Sequence, residues 1–277
     1  METVRIRPKR NSAREDATHR IAVFTAMDGA LLDSRTFDAG KSRAAIGRLL
    51  AEGIPVIPMS VMTLDEIAPI AADLGLQTAM VIEAGGAIAR WKNGGWEVEA
   101  CGPTADTFLD VVTDIEDRSG ANLLVYSAME PSAAARFSGR TGEMLDASTH
   151  RSFSEPFVLE NGDLESVRRA AAEIGFSVRR GRRFFHLCRA CDEGEAFSRV
   201  RDELRCDIAI GVGGSGVDAE FLTRADVAII VPDSDGVPDA ELAARVPDAR
   251  IATSGWGVAV EETLRALSPK RRRRAAS

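Results

Sequence analysis

The chain has 277 residues, 45% of them hydrophobic and 28% charged, with a formal net charge of −7. That balance describes a soluble globular protein with an ample core, in one large or two modest domains. The acidic excess argues against nucleic acid as a partner of the whole chain, and no apolar run is long enough to span a membrane. The basic N-terminal residues lack the apolar stretch of a secretory signal. Four cysteines without such a signal imply reduced thiols and a cytoplasmic location.

Residues 1–19 are polar, carry Arg5, Arg7, Lys9 and Arg10, and read as a disordered basic arm. Strand and helix patterns then alternate. Residues 21–27 read as a strand, Ser42–Ala51 as a helix closed by Gly53, and residues 54–59 as a strand ending at Ser60. Leu64–Leu74 reads as a helix closed by Gly75, and residues 79–83 as a strand running into Gly85-Gly86. This β-α-β-α-β order predicts a parallel sheet with right-handed crossovers.

The middle of the chain has a different rhythm. Residues 88–91 and 96–99 flank Lys92-Asn93-Gly94-Gly95, a hairpin signature. A helix (108–115), a strand (123–126), small helices between 133 and 149, a strand (157–160), a helix (164–174) and two strands (176–179, 184–188) follow. These predict an inserted α+β module over 85–189. The parallel pattern resumes with a helix (195–204), a strand (208–212), a short helix (217–223), strands at 227–231 and 250–253, and a closing helix (258–267). The expected organisation is an α/β core of residues 20–84 and 190–268, with the insertion as a cap. Residues 269–277, including Lys270–Arg274, form a basic tail.

Ligand chemistry in such a sheet sits at the C-terminal ends of the strands. Four stretches fall there or in the insertion: Ala26-Met27-Asp28-Gly29-Ala30, Glu83-Ala84-Gly85-Gly86-Ala87-Ile88, Arg183-Phe184-Phe185-His186-Leu187 and Gly211-Val212-Gly213-Gly214-Ser215-Gly216-Val217-Asp218. With Ser154-Glu155-Pro156-Phe157 and Gly255-Trp256, their order and spacing resemble the haloacid dehalogenase (HAD) superfamily. The resemblance is closest to its mannosyl-3-phosphoglycerate phosphatase branch and covers residues 20–268. It implies a Rossmann-type parallel core with an inserted α+β cap.

The family's chemistry transfers a phosphoryl group to an Asp and hydrolyses the acyl phosphate. It needs a second Asp as acid/base, Mg²⁺ on carboxylates and a charge-neutralising Lys. Carried onto this chain, the nucleophile position is Ala26, the acid/base is Asp28, the phosphate-binding hydroxyl is Ser60, the Lys position is Glu193 and the metal-Asp position is Gly214. Asp218 survives as a metal-loop carboxylate, while Val217 and Ala84 replace two Asn. Gly85, Gly86, Arg183 and His186 fall where the resemblance places ligand contacts, with Arg151 and Glu155 as further cap candidates.

A methyl group cannot attack phosphorus, and loss of a covalent nucleophile costs about 10⁴–10⁶ in rate. Asp28, Glu193 and Asp218 are expected to converge with no Lys among them, which leaves no cofactor, or at most a weakened Mg²⁺ site. The expectation is a catalytically impaired phosphatase-like protein with a binding, regulatory or scaffolding role. Its expected partners are another protein or a second copy, and a small phosphorylated or sugar ligand. The alternative is a weak phosphosugar phosphatase that uses Asp28 to activate water.

Two other motifs compete. The run from Gly211 to Gly216 is a literal G-x-G-x-x-G after a strand, which suits a pyrophosphate. His186, Cys188 and Cys191 form His-x-Cys-x-x-Cys, three soft ligands for Zn²⁺ if Cys206 or Asp192 completes the set. The plainer readings are a Gly-rich turn and buried packing thiols.

Overall fold

The computed structural model describes residues 19–102, 104, 107–189 and 193–267. The basic arm, the basic tail, Cys191 and Asp192 lie outside the described residues. No described helix is long and apolar enough to cross a membrane.

Two sheets organise the chain. The larger contains β1 (Ile21–Ala26), β2 (Val56–Met59), β3 (Ala79–Ile82), β4 (Ala87–Lys92), β5 (Gly95–Ala100), β10 (Ile208–Gly213), β11 (Val227–Ile230) and β12 (Arg250–Ile251). Its order is β12-β11-β10-β1-β2-β3-β4-β5. From β12 to β3 the pairing is parallel, and β4 and β5 are antiparallel. The smaller sheet has the order β6-β7-β9-β8 and contains β6 (Asn122–Val125), β7 (Glu155–Asn161), β8 (Phe176–Arg180) and β9 (Phe185–Arg189).

From β1 the chain proceeds through β2 and β3 on one side and returns through β10 and β11 on the other. The strand order therefore reverses at β1/β10, and the crevice beyond their C-terminal ends is the topological place for a ligand. β1 is buried on both faces, which is why its sequence runs apolar without alternation. Helices α1 (Ser42–Ala51), α2 (Leu64–Leu74), α7 (Glu193–Glu203), α8 (Ala219–Leu222), α9 (Ala240–Arg245) and α10 (Trp256–Leu267) accompany this sheet. Phe24 on β1 meets Phe197 on α7 with ring centroids 4.4 Å apart, a pairing that adds to simple burial.

The smaller sheet has its own core. Phe108, Val112 and Ile115 of α3 (Phe108–Ser119) and Val167, Ala170 and Ala171 of α6 (Leu164–Glu173) pack on Leu123, Phe157 and Leu187. Two short helices, α4 (Pro131–Ser138) and α5 (Gly142–Thr149), link β6 to β7.

The hairpin of residues 88–99 is not part of the smaller module, as the sequence reading has it. As β4 and β5 it extends the large sheet from β3. The physical reason is the turn at Glu83 and Ala84, both left-handed (φ 48° and 58°), which folds the chain straight back along β3. Ala87, Ile88 and Ala89 are then fully buried where a free sheet edge would otherwise lie.

A buried polar link ties the C-terminal helix to the central strand. Trp256 Nε1 donates to Thr25 Oγ1 at 2.8 Å, and Thr25 Oγ1 donates to the Ala26 carbonyl at 3.0 Å. Thr25→Val leaves the buried indole N–H without an acceptor. The expected loss is about 1–3 kcal/mol in chemical denaturation, with Thr25→Ser retaining most of the wild-type stability.

Candidate active site

The loops after β1, β2 and β10 meet at one cavity. Ala26, Met27, Asp28, Ser60, Val61, Ser215, Val217 and Asp218 line it, and Gly181 and Arg182 close it from the β8–β9 turn. An adjoining, partly open cavity lies along the seam between the two sheets. It is lined by Asp28, Arg140, Arg151, Arg182, Arg183 and His186, with Tyr126, Ser148 and Phe184 among its uncharged walls.

Among the described residues, four guanidinium groups surround the larger cavity, and Asp28 is the one carboxylate in its lining. Arg140 pairs with Glu66, a buried carboxylate that also accepts from Thr63 N and so completes the N-terminal cap of α2. Arg151 lies 3.8 Å from Glu83 and donates to the Val61 carbonyl. Arg183 reaches Asp28 Oδ2 at 2.7 Å and also donates to the Ser34 carbonyl. Phe37, held at φ 56°, has the guanidinium groups of Arg140 and Arg183 over its ring at 5.0 and 5.2 Å.

Asp28 keeps one oxygen, Oδ1, buried without a hydrogen-bond partner. Burial pushes its carboxyl above the ordinary value, and Arg183, Arg140 and Arg182 oppose the rise. Asp218 Oδ2 accepts from Gly214 N at 2.7 Å, Ser215 N at 2.8 Å and Ser215 Oγ at 3.3 Å. Desolvation nevertheless pushes it up to about 6. The same amides are the ones a pyrophosphate would need, and α8 has only four residues, so the G-x-G-x-x-G run is a self-capped turn.

His186 on β9 is buried among Arg151, Arg140 and Arg179; desolvation and these charges lower its pKa to about 3. It is therefore a neutral imidazole, and its Nδ1 has no hydrogen-bond partner. Cys188 packs with Ala84 and Val217, and burial raises its thiol. Among the described residues no group of three or more His, Cys, Asp or Glu is placed to hold a metal ion.

The predicted convergence is partial. Asp28, Ser60, Asp218 and Ala26 meet as expected, and Gly214 lies beside them, against Arg182. Glu193 does not join them. It is fully buried at the start of α7, where its charge acts on Cys188, and it lines neither cavity. Gly85 and Gly86 line neither cavity either; a Cβ on Gly86 would lie 2.3 Å from Phe153 Cβ, so this turn is a close crossing with the segment that enters β7. Ala84 packs inward rather than facing a ligand. Glu155 is likewise set back, accepting from Ser127 N.

Arg182 is the residue that sequence reasoning missed. Its Nη2 donates to the Gly29 carbonyl at 2.9 Å, and its Nε is buried without a partner. A Cβ built on Gly29 would stand 1.9 Å from Arg182 Nε, and one on Gly214 would stand 2.4 Å from Nη2. The available signal was the Gly181-Arg182-Arg183 run at a strand-to-strand turn, of which only Arg183 was taken up.

These residues do not fit the Mg²⁺ of the resemblance. Ala26 and Gly214 offer no carboxylate, and a guanidinium lies between their loops. A divalent ion 4 Å from a unit positive charge meets repulsion of about 8 kcal/mol, even at an effective dielectric of about 20.

Comparison with known proteins places this geometry. No protein-family model matches the chain. It is 23% identical over 230 residues to a glucosyl-3-phosphoglycerate/mannosyl-3-phosphoglycerate phosphatase of Persephonella marina, covering 76% of this chain and 85% of the relative. A protein of the same description from Methanococcoides burtonii is 23% identical over 235 residues, covering 78% and 86%. Among solved structures, a HAD-superfamily protein of Bacteroides thetaiotaomicron superposes with a TM-score of 0.67 at 13% identity, covering 91% of this chain and 97% of that one. The chain has the fold of the HAD phosphatases. Its sequence is similar to mannosyl-3-phosphoglycerate phosphatases, consistent with that branch of the superfamily, and its two sheets correspond to the core and cap of that fold.

Two buried groups of this HAD-fold site pull stability in opposite directions with pH. Asp218 has a folded pKa raised above its ordinary 3.8, so its contribution is complete below that value and is lost as pH rises through about 6. His186 has a folded pKa lowered from 6.5, so its contribution is present above 6.5 and is lost as pH falls toward about 3. Chemical denaturation between pH 4 and 7 checks both. Asp218→Asn removes a falling component from the wild-type curve, and His186→Gln removes a rising one.

Proposed function

We propose that this HAD-fold protein binds rather than hydrolyses. On this reading it takes a small phosphorylated or sugar-acid anion at the core–cap seam and acts in a regulatory or scaffolding role toward a protein partner or a second copy of itself. The observation that carries this reading is Ala26. It sits at the C-terminal end of β1, beside Asp28 and Ser60, where the superfamily's pattern has the attacking carboxylate. A methyl group there leaves no route to an acyl-phosphate intermediate.

Three further features support the reading. No carboxylate stands at Gly214, Glu193 lines neither cavity, and among the described residues the seam cavity carries four arginines against one lining carboxylate. Guanidinium groups suit carboxylate and phosphate oxygens, which they can grip with two parallel hydrogen bonds. The names of the curated relatives supply the class of ligand, a phosphorylated sugar acid.

A second reading rests on the unpartnered Oδ1 of Asp28. A buried carboxylate with a raised pKa and a free oxygen can take a proton from water, which would make the protein a weak phosphosugar phosphatase.

One assay separates the two. Purified protein with millimolar Mg²⁺ is given an aryl phosphate and mannosyl-3-phosphoglycerate, and phosphate release is followed beside a calorimetric titration with 3-phosphoglycerate. The binding reading expects release at background for both the wild type and Ala26→Asp, since that change leaves the Gly214 and Glu193 positions unrepaired, together with measurable heat of binding. Turnover by the wild type that rises in Ala26→Asp overturns it in favour of the second reading.

A further inference from the structure

The β8–β9 turn delivers a positive charge into the place where the strand ends of the core converge. Arg182 enters from the cap, passes over Gly29 and ends against Gly214, and its guanidinium donates to the Gly29 carbonyl at 2.9 Å. The side chain is long and costly to order, so a fixed position in a narrow pocket needs compensation. Two carboxylates supply it. Asp28 and Asp218 line the same pocket, and the charge of Arg182 acts on both.

Three positions fit together. Gly214 has only hydrogen where a Cβ would lie 2.4 Å from Nη2, and Ala26 has only a methyl in the lining of the same pocket. Gly181, immediately before Arg182, is itself pressed against His186, so the turn has little freedom to withdraw. Each residue is unremarkable alone. Together they trade two carboxylates on the core for one guanidinium on the cap.

We propose that the Arg182 guanidinium is the resident cation of this pocket, so that the pocket carries its positive charge on the chain itself and needs no divalent ion. The Nε of Arg182 lies buried against Gly29 without a hydrogen-bond partner. Because the cation belongs to the cap, it is present only while the cap stays on the core. Cap closure and positive charge at the strand ends are therefore one event. This concerns the same site as the binding reading, but its tests read stability and metal binding, so its failure and the failure of that reading are told apart.

The first test is a double-mutant cycle between Gly214 and Arg182, read by thermal unfolding. Gly214→Ala is expected to lower Tm by about 3–8 °C with Arg182 present, because the new methyl collides with its guanidinium. In an Arg182→Ala background the same change is expected to cost less than half as much. Should Arg182→Ala fail to fold, Arg182→Gln keeps the stem and removes the charge for the same cycle. Equal costs of Gly214→Ala in both backgrounds overturn the proposal.

The second test titrates Mn²⁺ by calorimetry and by Tm. The wild type is expected to be indifferent at millimolar Mn²⁺. The Gly214→Asp/Arg182→Ala double variant, which restores a carboxylate and removes the tethered cation, is expected to bind Mn²⁺ and gain about 3 °C or more. A wild type that binds Mn²⁺ as tightly as the double variant overturns the proposal, as does a double variant that gains nothing.

Discussion

Everything at the core–cap seam depends on arginines of the smaller module finding buried carboxylates on the larger one. Arg140 meets Glu66, Arg183 meets Asp28 and Arg151 approaches Glu83, all in places where water has little access. Desolvating such pairs costs several kcal/mol per ion, and attraction offsets this only where the remaining donors and acceptors are also satisfied. Here they largely are. Glu66 also caps α2, and Glu83 accepts from three consecutive backbone amides, Ser152, Phe153 and Ser154, within 3.2 Å. The pairs therefore act less as added stability than as registry: a cap rotated or shifted would strand several buried charges at once.

That registry also engages the polar residues at the strand ends. Asp28 is held by Arg183 across the seam. Asp218 spends one oxygen on the amides of its own turn, and Ser60 Oγ accepts from Met62 N. Each residue that resembles a working part of a phosphatase has a structural partner here. The presence of these residues needs no catalytic explanation, because removing any of them leaves a buried group unpaired.

Much of the architecture was legible in the chain. The alternation of apolar runs with Gly-closed helices gave the parallel sheet, and Ala26, Asp28, Ser60 and Asp218 do meet at the strand ends. The hairpin was visible as a hairpin but not as a continuation of the large sheet, since pairing with β3 depends on the left-handed pair Glu83 and Ala84. Glu193 and the Gly85-Gly86 turn went astray for a related reason. A motif position gives sequence distance from a strand end but not the direction in which the side chain leaves the backbone. Arg182 was illegible because its importance is tertiary. Nothing within five residues of it says that a glycine more than thirty positions later has left space for it.

The vacancy at Gly214 also bears on how separable the two modules are. Caps inserted between strands of an α/β core look like exchangeable parts, because they have their own sheet and their own hydrophobic cluster. In this chain the core has glycine at the two positions that the Arg182 side chain lies against, and Asp28 and Asp218 of the core line the pocket it enters. Taking this cap off the core would open space beside Gly29 and Gly214 and deprive Asp28 of Arg183. Core and cap have become a matched pair, and one can be altered only with regard to the other.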